Sequence, residues 1–167
     1  MSLFLISQLF VAVAICFDFM SFQFRERAKI VTCLFCAGIL ISLHFALLGQ
    51  WTATSLMGIA TIRYFVSIFS SSAKLKYLFC FTSVLATVLT YAGVASMLSC
   101  LGSVFQTVAA FNSNDQRLRQ LMIVGTCFWL AHNYLVGSPT AVLMEALFIT
   151  SNLIGYYRHY YRNTSVA

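Results

Sequence analysis

The sequence predicts an all-α integral membrane protein, with seven transmembrane helices arranged as two parallel three-helix repeats joined by a connector helix. Three observations predict it. The 167 residues are 60% hydrophobic and only 8% charged, where soluble domains carry about 25% charged residues. So few charges cannot cover a water-exposed surface, and the long uncharged runs read as membrane spans. Those runs lack the strict polar–apolar alternation of barrel strands. The chain also repeats itself. Slid by 88 residues, His44 falls on His132, Leu47 on Leu135, Gly49 on Gly137, Thr52 on Thr140 and Ala53 on Ala141, five identities within ten positions.

Taken in order, the first helix is expected from about Leu3 to Phe22. Its basic residues, Arg25, Arg27 and Lys29, follow it rather than precede it. That is the reverse of a cleaved signal peptide, so the segment is read as a span. The second helix is expected from about Ile30 to Leu48. Gly49, Gln50 and Trp51 form a tight turn, with Trp51 set as an interfacial aromatic. The third helix runs from about Thr52 to Ser70 and is followed by a basic loop to Lys76. From Tyr77 to Phe111 there are 35 residues without a charge. One helix of that length would measure about 52 Å, against a hydrocarbon core of about 30 Å. It must fold back, and Tyr91-Ala92-Gly93 is the natural break. The fourth helix is then Tyr77 to Thr90 and the fifth Val94 to Phe111. After a polar loop to Arg119, the sixth runs from Gln120 to Val136. Gly137-Ser138-Pro139 is a second turn, and Pro139 suits the first turn of a seventh helix ending near Tyr157.

This gives a single transmembrane domain over 1–162, with repeat one at 3–70, the connector at 77–90 and repeat two at 94–157; 163–167 are a cytoplasmic tail. Three spans reverse the chain across the membrane, so a fourth is needed before a second unit can start in the same direction. Charge agrees. The N-terminus and the turns at Gln50, Gly93 and Ser138 carry no Lys or Arg, whereas nine of the ten basic residues fall on the opposite side. The positive-inside rule then puts the N-terminus outside and the C-terminus in the cytoplasm. The net charge of +6 reports this orientation, and no nucleic-acid partner is expected. Six cysteines lie within apolar runs. Cys33 and Cys36 form a CxxC without a second pair, so they read as packing residues, with no metal site and no cofactor.

Ionisable residues inside a membrane are costly and mark function by default. Counting 1.5 Å per residue from the outer turns, His44, His132 and Glu145 lie roughly 8–9 Å deep, with Asn133 and Gln8 beside them in depth. Asp18, Arg63, Gln106 and Asn152 lie roughly 17–23 Å deep. Glu145 and Asn152 are seven apart and share a stripe. At the 88-residue offset Gln8 matches Ser96 and Asp18 matches Gln106, so the first helix of each repeat carries an equivalent polar stripe. That predicts a polar cavity between the repeats. His44, His132, Asn133, Glu145, Asn152 and Gln106 are the candidate substrate-binding residues. Asp18 and Arg63 are a candidate charge pair or gate. A pairing of Glu145 with a histidine of its layer would titrate near neutrality and suit proton coupling. The blander alternatives are hydrogen bonds between helices for the histidines and helix packing for the stripe Ser96, Ser99 and Ser103. Gly38, Gly58, Gly102 and Gly125 are positions where helices would approach closely.

His44-Phe45-Ala46-Leu47-Leu48-Gly49, Trp129-Leu130-Ala131-His132-Asn133 with Gly137-Ser138, and Glu145 with Asn152 resemble the YgjV family of bacterial inner membrane proteins, over roughly residues 3–160. That family is itself distantly similar to the PQ-loop and SWEET sugar transporters, which have seven spans as three, one and three and an outside N-terminus. The resemblance implies the bacterial inner membrane and a transporter-like fold; Asn152 matches a characteristic asparagine of the seventh SWEET helix. The chain departs in having one proline, at a turn, and no Pro-Gln pair, so hinge-driven sugar transport is not implied.

The functional expectation is a small-solute transporter or facilitator, with an unknown small polar solute bound between the repeats and alternating access by rocking. Homo-oligomerisation is left open, and the lipid bilayer is the expected surround. The competing expectation is a non-transporting scaffold or subunit of a membrane complex. No nucleophile–base or metal spacing supports an enzyme. All three lysines lie at membrane edges, so none serves a retinal Schiff base.

Overall fold

The structure, a computed structural model, describes residues 2–23, 27–67, 69–70, 72–112, 114–157 and 160. Arg25, Arg158, Arg162 and the tail at 163–167 lie outside the described residues, as do the side chains of Arg27 and Lys29. The described residues form seven α-helices and no strand: α1 (Leu3–Gln23), α2 (Arg27–Leu47), α3 (Trp51–Ser67), α4 (Ala73–Leu89), α5 (Val94–Ala110), α6 (Asp115–Leu135) and α7 (Pro139–Tyr156).

Several helices begin earlier than their apolar runs. α4 starts at Ala73, not Tyr77, because the Ser72 hydroxyl caps it by accepting from the Lys74 amide at 3.3 Å. α6 starts at Asp115, not Gln120, because Asn114 Oδ1 accepts from the Arg117 amide at 2.9 Å. Lys, Arg, Gln and Leu are good helix formers, so once a cap satisfies the orphan amides the helix extends through the polar flank. α2 likewise starts at Arg27, three residues ahead of Ile30. Among the described residues, α1 alone qualifies by length and composition as a full span, with a mean hydropathy of 2.2 over Leu3–Met20; shorter apolar helical runs are Thr32–Leu47, Val94–Ala110 and Pro139–Ile154.

The turns follow from glycine. Gly49 and Gly137 both sit at φ 68°. At each, two amides close the helix end: Gly49 and Gln50 donate to Ala46 and Phe45, and Gly137 and Ser138 to Tyr134 and Asn133. This is the Schellman arrangement, which needs a residue at ease with positive φ. The long uncharged run breaks at Gly93, whose φ of 102° and ψ of −157° belong to a region open essentially to glycine alone.

Packing is a ring. α1 packs on α2 and α7, α2 on α3, α3 on α5, α5 on α6 and α6 on α7, while α4 packs over α3 and α5. The surface is apolar: Leu78, Phe81, Val84, Leu85, Val88 and Leu89 on α4 are all exposed. The interior is rich in polar groups, among them Gln8, Asp18, His44, Arg63, His132, Asn133 and Glu145, all buried. Such an inverted distribution suits hydrocarbon surroundings, where an exposed leucine costs nothing and a polar group must find partners inside.

The 88-residue offset reappears in contacts. His44 Nδ1 meets the Ser7 carbonyl at 3.0 Å, and His132 Nδ1 meets the Ala95 carbonyl at 2.9 Å; both members shift by 88. Thr52 on α3 bonds Ser96 on α5 at 2.9 Å, and Thr140 on α7 donates its amide to Gln8 on α1 at 3.1 Å. These two seams are equivalents as well. The halves differ in their closest helix approach. A Cβ on Gly102 would lie 3.0 Å from the Gly125 carbonyl and 2.7 Å from Trp129 Cδ1, so α5 and α6 meet through paired glycines. In the first half the close approach is Gly38, whose added Cβ would run into the Thr61 hydroxyl on α3, whereas that of Gly58 would meet only Ser42 Oγ, at 4.0 Å.

Candidate functional site

At the turn end of the ring, His44 sits in the last turn of α2. Its Nδ1 faces a carbonyl, so Nδ1–H donates to Ser7, and Nε2 is left to accept from the Ser138 hydroxyl at 3.1 Å. The tautomer is fixed by that pairing. Gln8 completes the network. Its Nε2 reaches the hydroxyls of Ser7 and Ser138 at 3.3 and 3.4 Å. Its Oε1 accepts from the Thr140 amide, one of the orphan amides of the first turn of α7. His132 repeats the first half of this arrangement only, for its buried Nε2 has no hydrogen-bond partner among the described residues.

Aromatic rings fill the space between the two histidines. Phe45 stacks on Trp129 at 5.6 Å, and His132 meets both edge-on, at 5.4 and 5.5 Å. His44, Phe45, Trp129 and His132 are each at most 2% exposed. The turn end is therefore sealed.

Below this layer lies a cavity of about 120 Å³. An enclosed water needs roughly 10–15 Å³ by the same measure, so the space suits several waters or one small solute. Its walls pair off at the 88-residue offset: Asp18 with Gln106, Leu34 with Met122, Ile41 with Trp129, and Met57 with Glu145. It is thus lined in part by residues that correspond at that offset. Asp18 and Glu145 are buried, and among the described residues no lysine, arginine or histidine lines the cavity. At the sealed end Ile41 and Trp129 are buried, whereas Leu34, Tyr64, Gln106 and Met122 at the opposite end are half-exposed. The cavity is thus buried at one end and more open at the other.

The structure gathers Asp18, Gln106 and Glu145 from the sequence-derived residues and separates the others. Glu145 Oε1 accepts from Asn133 Nδ2 at 3.5 Å; neither histidine is its partner, since His44 Nε2 is taken by Ser138 and His132 Nε2 has no hydrogen-bond partner among the described residues. His44 and His132 belong to the seal. Asn133 lines a separate crevice at the α6–α7 turn. Asn152 bonds the Arg119 carbonyl at 3.4 Å and ties α7 to α6. Arg63 does not turn toward Asp18. It is 1% exposed, and its Nη1 donates to the Ser103 carbonyl and the Thr107 hydroxyl of α5, while Nε and Nη2 have no hydrogen bond among the described residues. Ser96, Ser99 and Ser103 are packing groups, bonded to Thr52, the Ser96 carbonyl and Ser83. Tyr64 and Met57 went unflagged in the sequence, and Trp129 entered only as part of the family motif, with no site role. The offset was the signal available for two of them, since Trp129 is the equivalent of Ile41 and Met57 of Glu145.

The family model Imp-YgjV, described as bacterial inner membrane protein, matches residues 5–163. Inner membrane protein YgjV of Escherichia coli (strain K12) is 25% identical over 112 residues, covering 67% of this chain and 61% of that protein. The matched stretch therefore spans about three fifths of that relative's length. No solved structure matches.

Proposed function

We propose a function on one premise: this chain belongs to the Imp-YgjV family of bacterial inner membrane proteins. We infer that it is a multi-pass small-solute transporter or facilitator. α1–α3 and α5–α7 act as two parallel repeats with α4 as connector, in the three-one-three manner of the SWEET proteins. The observation that carries the reading is the cavity lined by residues that correspond at the 88-residue offset, buried at one end and half-exposed at the other. Rocking of one repeat against the other alternates access to such a site. The N-terminus lies outside and the C-terminus in the cytoplasm, so the sealed end faces out. In this reading Asp18, Gln106 and Glu145 meet the solute, and His44 and His132 hold the outer seal. Asn152 and Arg63 brace helices. No bond is made or broken, and no cofactor is used.

The test is to lock the seams that rocking must part. In a cysteine-free background, Gln8→Cys with Thr140→Cys closes the α1–α7 seam, and Thr52→Cys with Ser96→Cys closes the α3–α5 seam. Oxidation of either pair is expected to stop solute flux in proteoliposomes, and reduction to restore it. A flux that persists with both seams fully oxidised would rule out rocking. Absence of any flux across a broad solute panel would favour the scaffold role.

A further inference from the structure

We propose that the solute of the central cavity is a single-chain amphiphile with a small hydroxyl-bearing head, which enters sideways from the bilayer between α1 and α7. The proposal rests on the transport reading and names its substrate class. A narrow groove runs between α1 and α7, walled in part by Ile15, Phe19, Leu147 and Ser151. At the 88-residue offset Ile15, Phe19 and Ser151 correspond to Ser103, Thr107 and Arg63. Those three are bonded together, for the guanidinium donates to the Ser103 carbonyl and the Thr107 hydroxyl. α4 lies over them, with the Ser83 hydroxyl 3.4 Å from that of Ser103. Arg63, Ser103 and Thr107 are each at most 2% exposed. The α3–α5 seam is thus plugged by a polar side chain and roofed by a helix.

The α1–α7 seam differs on both counts among the described residues. Ile15 and Phe19 stand in place of the two hydroxyl residues, a serine stands in place of the arginine, and Phe19 is 52% exposed and Leu147 38%. Counted at 1.5 Å per residue, the groove lies roughly 8–24 Å below the outer helix ends, within a hydrocarbon core of about 30 Å. It therefore opens on acyl chains rather than on headgroups or water. Asp18, Met144 and Phe148 line the groove and the central cavity alike, so a single layer of side chains parts the two. Met144 in that layer is unbranched and adapts its shape readily. A groove of about 20 Å³, against about 120 Å³ for the cavity, passes the width of one alkyl chain and no large headgroup. The chain lies along Phe19 and Leu147 while the head sits in the cavity. A hydroxyl, which both donates and accepts, suits Gln106 and Glu145 on the cavity wall.

The experiment reads access to the cavity in lipid vesicles, on the full chain in a cysteine-free background with Met57→Cys as the sole thiol on the cavity wall. Two reagents are compared: N-dodecylmaleimide, dissolved in the bilayer, and a sulfonated maleimide held in the water. The dodecyl reagent is expected to label the thiol. Ser151→Trp, which fills the groove at the place equivalent to Arg63, should slow that labelling about tenfold, an added barrier of about 1.4 kcal/mol, and leave the aqueous reagent within about twofold. Dodecan-1-ol in the membrane should protect the thiol. Dodecane, which lacks the head, and ethylene glycol, which lacks the chain, should not. Dodecyl labelling indifferent to the plug would overturn the lateral port, as would its absence at both Met57→Cys and Met122→Cys. Equal protection by dodecane would leave a groove for plain hydrocarbon, and protection by ethylene glycol a water-borne solute; either overturns the amphiphile assignment. Should Ser151→Trp fail to fold, Leu147→Trp at the exposed mouth of the groove serves as the plug. The seam-locking flux measurement decides the transport reading separately. Plug-sensitive labelling without flux of any solute, the alcohol included, would drop transport and keep a site fed from the bilayer, whereas flux with plug-insensitive labelling would drop the port alone.

Discussion

His44 and His132 occupy the same place in the two halves, yet they carry different loads. Each donates Nδ1–H to a carbonyl 37 residues back, on the first helix of its own half. His44 also accepts from Ser138 across the seam between halves, within a network that includes Gln8. His132 has no such partner among the described residues. The reason is chemical and local: the position equivalent to Ser138 is Gln50, and the position equivalent to Gln8 is Ser96, which bonds Thr52 instead. The second difference lies in packing. Where the first half has Ala14, Ala37 and Ile41, the second has Gly102, Gly125 and Trp129. The paired glycines let the indole fit. One backbone plan thus supports two chemistries: a latched first half and a second half built around an aromatic wall.

The packing difference gives the largest expected effect. Gly102→Ala should destabilise the protein by about 1–3 kcal/mol, the usual cost of overpacking, because the new Cβ lies 2.7 Å from Trp129 Cδ1. Adding Trp129→Ile, which copies the first half, should recover part of that loss; a loss unchanged by the second substitution would place the strain on the Gly125 carbonyl instead. The histidines come next. His44→Ala should cost more than His132→Ala by about 1 kcal/mol, the worth of one net hydrogen bond, in matched detergent denaturation curves. Equal costs would mean that the Ser138 bond adds nothing. Ser138→Ala should cost about 0.5–1.5 kcal/mol. Gln50→Ala is the smallest expected effect, within about 0.5 kcal/mol, since its side chain leaves His132 Nε2 unbonded. A larger cost there would show that the second half has a latch of its own.

Much of the fold was legible in the sequence because apolar length and glycine are strong local signals. Seven helices, the two glycine turns and the break at Gly93 all follow from them. Helix starts were not, because caps such as Ser72 and Asn114 extend a helix beyond its apolar run. The candidate site was legible in depth but not in azimuth. Counting residues places His44 and Glu145 at one height, yet helix packing decides that one faces a seal and the other a cavity. Arg63 and Asp18 were likewise matched in height, and α5 holds the guanidinium. Matched stripes at Asp18 and Gln106 did carry rotational information, because the offset compares like helices, and those two residues share the cavity wall.

The correspondence of the α1–α7 and α3–α5 contacts has a consequence for mutation. Thr52 and Thr140, and Ser96 and Gln8, stand at matching positions of the 88-residue offset. Each residue of one contact therefore has a counterpart elsewhere in the chain that serves as its internal control.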